Sequence, residues 1–370
     1  MWQIAQIQTV PEIINVVKVL ITGLIAFLLA FSITPFWTYI LYKYKIGIKI
    51  KSTDVNGGKL TFVNKLHAGK TGTPTMGGVI IWAAILILVF TSHFIFPWIA
   101  KILDVRFIAR LDFFSRSQVW LPLFALITAG TLGLFDDVMS VRGWGSNKGG
   151  GMRFAMRFGW LILIAAAGAW WFYYKLGWDI LHIPAVGDIN IGLWYIPLFI
   201  FVILFSAISS NETDGLDGLN GGVLLMAFFS FAVIAFLQNK VDLAAFCAAI
   251  SGTIVAFLWF NIPPARFFMG DTGAISLGAT LGVVAMLTNS VLVLFIITFI
   301  YVLESGSVAI QLTSKKFFKR KVFLAAPLHH HFEAKGWPES KIVMRVWLFT
   351  MMTALAGVVI AIFGMGKFHQ

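Results

Sequence analysis

This sequence predicts an all-α integral membrane protein with about ten transmembrane helices. Hydrophobic residues make up 59% of its 370 positions and charged residues 12%, about half the charged share of an ordinary globular protein. The apolar residues come in runs of about 20, the length that crosses a bilayer as a helix. Almost every polar cluster falls in alternate loops between those runs.

The runs centre on residues 17–40, 76–97, 119–135, 158–174, 193–209, 222–237, 243–260, 274–287, 291–312 and 346–364, the eighth being the short one. The first ten residues, MWQIAQIQTV, lack a basic segment and a small-residue cleavage site. The first run therefore reads as a retained span rather than a signal peptide. Cys247, the single cysteine, lies in an apolar run and reads as a small buried hydrophobe. No repeat, low-complexity tract or long linker divides the chain, so residues 1–370 read as one polytopic membrane domain.

A net charge of +12 raises nucleic acid as a partner, but the cations sit between spans, where membrane orientation explains them. Loops after odd-numbered spans hold seven, four, none, one and eight Lys/Arg, which is 20 of the 28. That asymmetry puts these loops in the cytoplasm and both termini on the outer, periplasmic side. The loop after the second span departs from it, with Lys101, Arg106, Arg110 and Arg116. Its amphipathic FIARLDFF stretch predicts a helix lying on the outer surface.

The cytoplasmic loops carry the chemistry. The first ends HAGKTGTPTMGG, from His67 to Gly78. Its glycines let backbone approach a ligand, and Lys70, Thr73 and Thr75 suit phosphate oxygens, although the order is not that of a Walker A loop. A tight turn is the plainer reading. The third span ends with Asp136 and Asp137. Neighbours on a helix point about 100° apart, so the pair divides two jobs. Acids are disfavoured near a helix C-terminus, which points to function rather than to a solvated helix end.

The third loop, SSNETDGLDGLNGG, spaces Asn211, Asp214 and Asp217 every third residue. On a helical turn that spacing stacks three oxygen ligands on one face, as suits Mg²⁺ or a hydroxyl-rich ligand. An EF-hand alternates every second residue instead. The fourth loop, WFNIPPARFFMGDTGAISLG, places Asp271 at the start of the eighth span, where the helix dipole favours anions. Phe267 and Phe268 either enter lipid or stack on a base. The fifth holds His329, His330 and His331. Three consecutive imidazoles diverge and so make a poor zinc site, but beside Lys and Arg they suit phosphate binding and proton transfer.

Together, GTPTMGG (residues 72–78), FDD (135–137), NETDGLDGL (211–219), NIPPARFFMGDTG (261–273) and PLHHHFE (327–333) closely resemble the phospho-N-acetylmuramoyl-pentapeptide transferases, or translocases, of the polyprenyl-phosphate N-acetylhexosamine-1-phosphate transferase superfamily. The motifs stand in the family's order and the resemblance covers nearly the whole chain. It implies a ten-helix, commonly dimeric protein of the bacterial cytoplasmic (inner) membrane, with its active site open to the cytoplasm. It implies Mg²⁺-dependent transfer of phospho-N-acetylmuramoyl-pentapeptide from UDP-N-acetylmuramoyl-pentapeptide to undecaprenyl phosphate. The products are lipid I and UMP, in the first membrane step of peptidoglycan synthesis. Carried over residue by residue, it implies Asp136 as base or lipid-phosphate contact, and Asp271 with Asp137 at the metal. Asn211, Asp214 and Asp217 would position the nucleotide sugar and metal. Lys70, Thr75, Asn261 and Gln311 would line the donor site, with Phe268 stacking on uracil. His329, His330 and His331 would contact phosphate or sugar, His330 among the catalytic groups.

Two positions depart from the family. Ser140 stands where a lysine is usual, leaving Arg142 or Lys148 to supply that charge, and Glu212 stands where an aliphatic residue is usual. Within the superfamily the rival reading is a transferase using a simpler UDP-sugar. Outside it the rival is a lipid flippase or transporter, which puts ionisable groups near mid-membrane. Here the span interiors are nearly free of charge, Glu304 in the ninth being the main exception.

Overall fold

The structure, a computed structural model, describes residues 2–44, 46–47, 70, 72–115, 117–145 and 150–365, with only the backbone described for residues 2–11 and Arg106. His67, Arg116 and Lys148 lie outside the described residues. The long apolar runs form α1 (Trp2–Lys43), α2 (Gly78–Leu103), α3 (Trp120–Arg142), α4 (Phe154–Lys175), α5 (Gly192–Thr213), α6 (Leu219–Leu237), α7 (Val241–Asn261) and α8 (Asp271–Leu287). After them come α9 (Val291–Ile297), α10 (Phe299–Phe318), α11 (Leu328–Ala334) and α12 (Glu339–Gly364). Among the described residues, eight helices are long and apolar enough to cross a membrane, or nine with α9 and α10 taken as one span bent by 82°. The bend falls at Thr298, whose backbone leaves the helical region at φ −100°, ψ 38°.

The eighth apolar run, α8, has 17 residues, and every one from Thr272 to Leu287 is buried. It packs on α3, α5 and α2. Small residues make this approach possible. A Cβ on Gly278 would lie 2.8 Å from Ala207 Cα, and one on Gly133 would lie 2.5 Å from the Asp271 carbonyl carbon. Lipid instead meets helices such as α1, where Leu20, Leu24 and Leu28 are exposed four residues apart, one stripe of a helical surface.

At the end opposite the motif loops, strands Ile180–Ile183 and Gly187–Asn190 form an antiparallel hairpin, with Ile180 opposite Asn190. The surface helix expected over FIARLDFF is a single turn, Arg106–Arg110. Leu111 and Phe113 turn inward and are buried. Asp112 stops the helix: it accepts the Phe114 N–H at 3.0 Å and pairs with His93 at 3.0 Å, while Lys18 donates to its carbonyl.

Candidate functional site

The motif loops meet at one end of the bundle, around α8. Asp136 and Asp137 lie in α3, both buried, and their side chains do point to different partners. Asp137 accepts the backbone N–H groups of Asp271 at 3.2 Å and Thr272 at 3.0 Å. It therefore caps the N-terminus of α8, whose dipole offsets the unfavourable position of an acid late in α3. Asp136 accepts the Met152 N–H at 2.6 Å and pairs with Arg157 of α4 at 3.1 Å. The same Arg157 nitrogen pairs with Asp271. Asp271 also accepts the Asn211 amide at 2.6 Å.

The helical stacking expected of Asn211, Asp214 and Asp217 is not formed. α5 ends at Thr213, and Gly218, at φ +77°, starts α6 from a left-handed position. Residues 214–217 are a turn because Gly215 and Gly218 interrupt the run. The three side chains nonetheless face one cavity. Asp217 pairs with Lys70 at 2.7 Å and accepts the Ala265 N–H at 3.0 Å. Asp214 accepts the Gly270 N–H. Gly270 has φ +75°, and a Cβ there would come 2.6 Å from Asp137 Oδ2 and 2.7 Å from Thr75 Oγ1, so only glycine fits between them.

This cavity has a volume of about 330 Å³, and Lys70, Thr75, Asp137, Asn211, Asp214, Asp217, Asn261, Phe268 and Asp271 all line it. Phe268 sits with Lys70 Nζ 5.9 Å from its ring centre. Phe267 neither enters lipid nor reaches the cavity; it is buried against Phe257 and Phe260. Asn261 spends its amide on the Gly218 N–H and the Phe267 carbonyl, fixing both loops. Gln311 does not line the cavity. Its side chain accepts the Val322 and Phe323 N–H groups and donates to the Phe323 carbonyl, bracing the loop before α11.

The histidines occupy α11 and diverge. His329 is buried, with Nδ1 3.1 Å from Glu304. Its ring lies against Gly215, where a Cβ would meet His329 Cε1 at 3.0 Å. Its Nε2 is buried without a hydrogen-bond partner among the described residues. His330 pairs with Glu333 at 2.6 Å, and His331 accepts the Leu324 N–H at 3.1 Å. Partial desolvation, and the Lys335 charge, hold His331 below the ordinary imidazole range.

Among the described residues, Asp136, Asp137, Asp214, Asp217, Asp271 and Glu339 stand around the cavity against the cations Lys70 and Arg157. Burial, then the Asp271 charge, push Asp214 up to about 7 against the Gly270 N–H. Such excess negative charge in hard oxygen donors suits a divalent cation. Among the described residues, no three carboxylates or imidazoles converge closely enough to hold an ion alone. A divalent cation here would have to be completed by substrate phosphate and water.

Sequence reasoning missed Arg157 and Glu339 and gave Glu304 no role. Glu339, the first residue of α12, pairs with Lys70 at 2.6 Å and accepts the Asp217 N–H at 2.6 Å. A cation inside the first turn of an apolar helix was the available signal for Arg157, since charge in a span is functional by default. Its assignment to a loop concealed it. Arg142 points elsewhere, stacking on Trp144. Ser140 lies beside Gly151, where a Cβ would come 2.5 Å from its hydroxyl and 3.0 Å from Asp136. Glu212 accepts the Ser305 hydroxyl at 2.5 Å.

Residues 119–289 match the family model described as Glycosyl transferase family 4. The chain is 34% identical over 366 residues to a phospho-N-acetylmuramoyl-pentapeptide-transferase of Chloroflexus aggregans, covering 95% of this chain and 91% of that one. A protein of the same name from Geobacillus kaustophilus is 34% identical, over 93% of this chain and 98% of its own. One from Bartonella quintana is 37% identical over 310 residues, 79% of this chain and 80% of the relative.

Proposed function

The chain belongs to the phospho-N-acetylmuramoyl-pentapeptide transferase family, and from that premise we propose that it transfers phospho-N-acetylmuramoyl-pentapeptide from its UDP donor to undecaprenyl phosphate, giving lipid I and UMP. One observation carries the reading: loops far apart in sequence bring Lys70, Asp137, Asn211, Asp217, Phe268 and Asp271 around one cavity at one end of an apolar bundle. A site at the bundle's rim serves a donor from water and an acceptor from lipid. The lysine and arginine bias favours a cytoplasmic position for that rim. The protein is then a ten-crossing, single-domain enzyme of the bacterial inner membrane, and family membership favours a homodimer.

Both reactants are anions, so the site must offset their repulsion. Asp271 and Asp137 would hold Mg²⁺, which when bound stabilises charge on the diphosphate. Lys70 and Phe268, together at the cavity wall, receive the nucleotide, with the ring against uracil. Asn211 and Arg157 fix the Asp271 carboxylate, and Arg157 supplies the cation that Ser140 lacks. Asp136 orients the lipid phosphate, which is already largely ionised and needs little help from a base. An oxygen of that phosphate attacks the sugar-bearing phosphorus; the new P–O bond forms as the bond to UMP breaks. His329 presents Nε2 toward the Gly215 wall, and Glu304 holds the other ring nitrogen. His330 and His331 anchor α11 beside the sugar.

UMP release in detergent tests this, with and without undecaprenyl phosphate and with EDTA. The expected result is UMP only when lipid and Mg²⁺ are both present. Stoichiometric UMP without lipid refutes direct attack in favour of a phospho-aspartyl intermediate. Turnover of a simpler UDP-sugar in competition, with none of the muramoyl donor, moves the substrate to the rival transferase class.

A further inference from the structure

The segment joining α10 to the histidine helix has no role in the chemistry above, yet its composition is unusual. Lys315, Lys316, Lys319, Arg320 and Lys321 fall within seven residues, and no acid occurs from residue 305 to residue 332. Interleaved with them, Phe317 is 69% exposed, Phe318 68%, Val322 54% and Leu324 58%. Lys319 takes a left-handed φ of +54° and turns the chain back, so that cations and aromatic rings share one protruding tip. The tip leaves the bundle on α10, after the 82° bend. Ile310 and Leu312 are exposed on the same helix.

We propose that this tip docks on anionic phospholipid headgroups at the membrane surface beside the site, and thereby holds the histidine helix in position. Cations beside exposed aromatic rings fit an interface of phosphate and acyl chain better than open water. Each Lys or Arg near an anionic bilayer contributes about fivefold to attachment. The mechanical link is made of hydrogen bonds. Ser314 donates to the Arg320 carbonyl at 2.9 Å, and Gln311 grips residues 322 and 323. Leu324 donates to His331 Nδ1, and the Phe323 and His331 rings meet edge to face. Two residues back along α11, His329 packs against Gly215, which lines the cavity. The influence on catalysis rests on the transferase reading; docking itself does not.

The test uses the full chain in nanodiscs of phosphatidylcholine alone, or with about 30 mol% phosphatidylglycerol, with no undecaprenyl phosphate during the depth measurement. A nitroxide on Phe318→Cys reports depth by oxygen against nickel-chelate collisions, and buried Cys247 stays unlabelled. UMP release is measured in the same discs once both substrates are added. Phosphatidylglycerol is expected to deepen the label and raise UMP release severalfold. A variant with all five cations changed to Gln is expected to keep its rate in phosphatidylcholine and lose both responses. Equal depth in the two bilayers, or an unchanged response in the five-site variant, overturns the proposal. So does a label that deepens only when a soluble acidic protein is added. Deepening without a change in turnover overturns the link to α11. Deepening with no UMP in any disc leaves docking standing and refutes the transferase reading.

Discussion

Gly133→Ala is the sharpest single perturbation of this architecture. Gly133 lies on α3 one turn before the aspartate pair, and its missing side chain is the space in which α8 begins. The added Cβ would lie 2.5 Å from the Asp271 carbonyl carbon and 2.6 Å from Thr272 Cα. Carbon atoms settle at about 3.5 Å, so the two helices must part by roughly 1 Å. Both obstacles are backbone, and no rotamer change relieves them. Asp137 bonds the first two N–H groups of α8, so this separation strains the cap and moves Asp271 away from Asn211 and Arg157. A displacement near 1 Å costs about 10²-fold in rate, and overpacking costs about 1–3 kcal/mol of stability. The assay is kcat for UMP release from folded, monodisperse protein. Gly130→Ala is the control on the same helix: its Cβ would meet Ser276 and Trp82 at 3.5 Å, an ordinary contact, and activity should stay near the parent's. Full kcat in Gly133→Ala, or equal losses in both variants, would refute the reasoning.

Arg157→Met leaves Asp136 and Asp271 facing each other without their shared cation, and breaking a buried pair costs about 3–5 kcal/mol. Thermal unfolding should show a large loss, partly recovered by Arg157→Lys; unfolding like the parent's would exclude a bridging role. Glu304→Gln removes the carboxylate that orients His329, so kcat should fall by about an order of magnitude while donor KM holds. A change in KM alone would mean that His329 only binds. For Asp214 the sign follows from its raised value of about 7. The stability it contributes is fully present below the ordinary carboxylate value and is lost as pH rises through about 7. In EDTA, Asp214→Asn should therefore gain a melting-temperature advantage over the parent between about pH 4 and pH 7 that levels off above. Saturating Mg²⁺ should remove that advantage, and a pH-independent difference would contradict the burial argument.

The apolar runs and the motif loops were legible because each is written in consecutive residues. Hydropathy marks the helices, and Gly270-Asp271 marks the start of α8 where a glycine and an anion meet a helix N-terminus. Partnerships across the fold were not legible. Arg157 meets Asp271 114 positions away, and Lys70 meets Glu339 269 positions away; only packing specifies such pairs. The turn at residues 214–217 was misread because every-third spacing imitates a helix, while two glycines held the chain out of one. The loop-bracing contacts of Gln311 were not legible for a related reason. A polar side chain near the site looks like a ligand contact until the backbone groups it satisfies are visible.

The central position of α8 bears on how the protein is made. Seventeen residues give about 25 Å of helix, short of the roughly 30 Å hydrocarbon core. Glycine and hydroxyl residues occupy the face by which its neighbours approach. Its surroundings in the folded bundle are protein rather than lipid, chiefly α3, α5 and α2. Those three are synthesised earlier, so the groove that receives α8 exists before α8 does. The Asp137 carboxylate can then seize the arriving helix by its first two amides. Insertion of the helix and completion of the carboxylate cluster become the same event, and a chain whose α8 failed to seat would carry no assembled site.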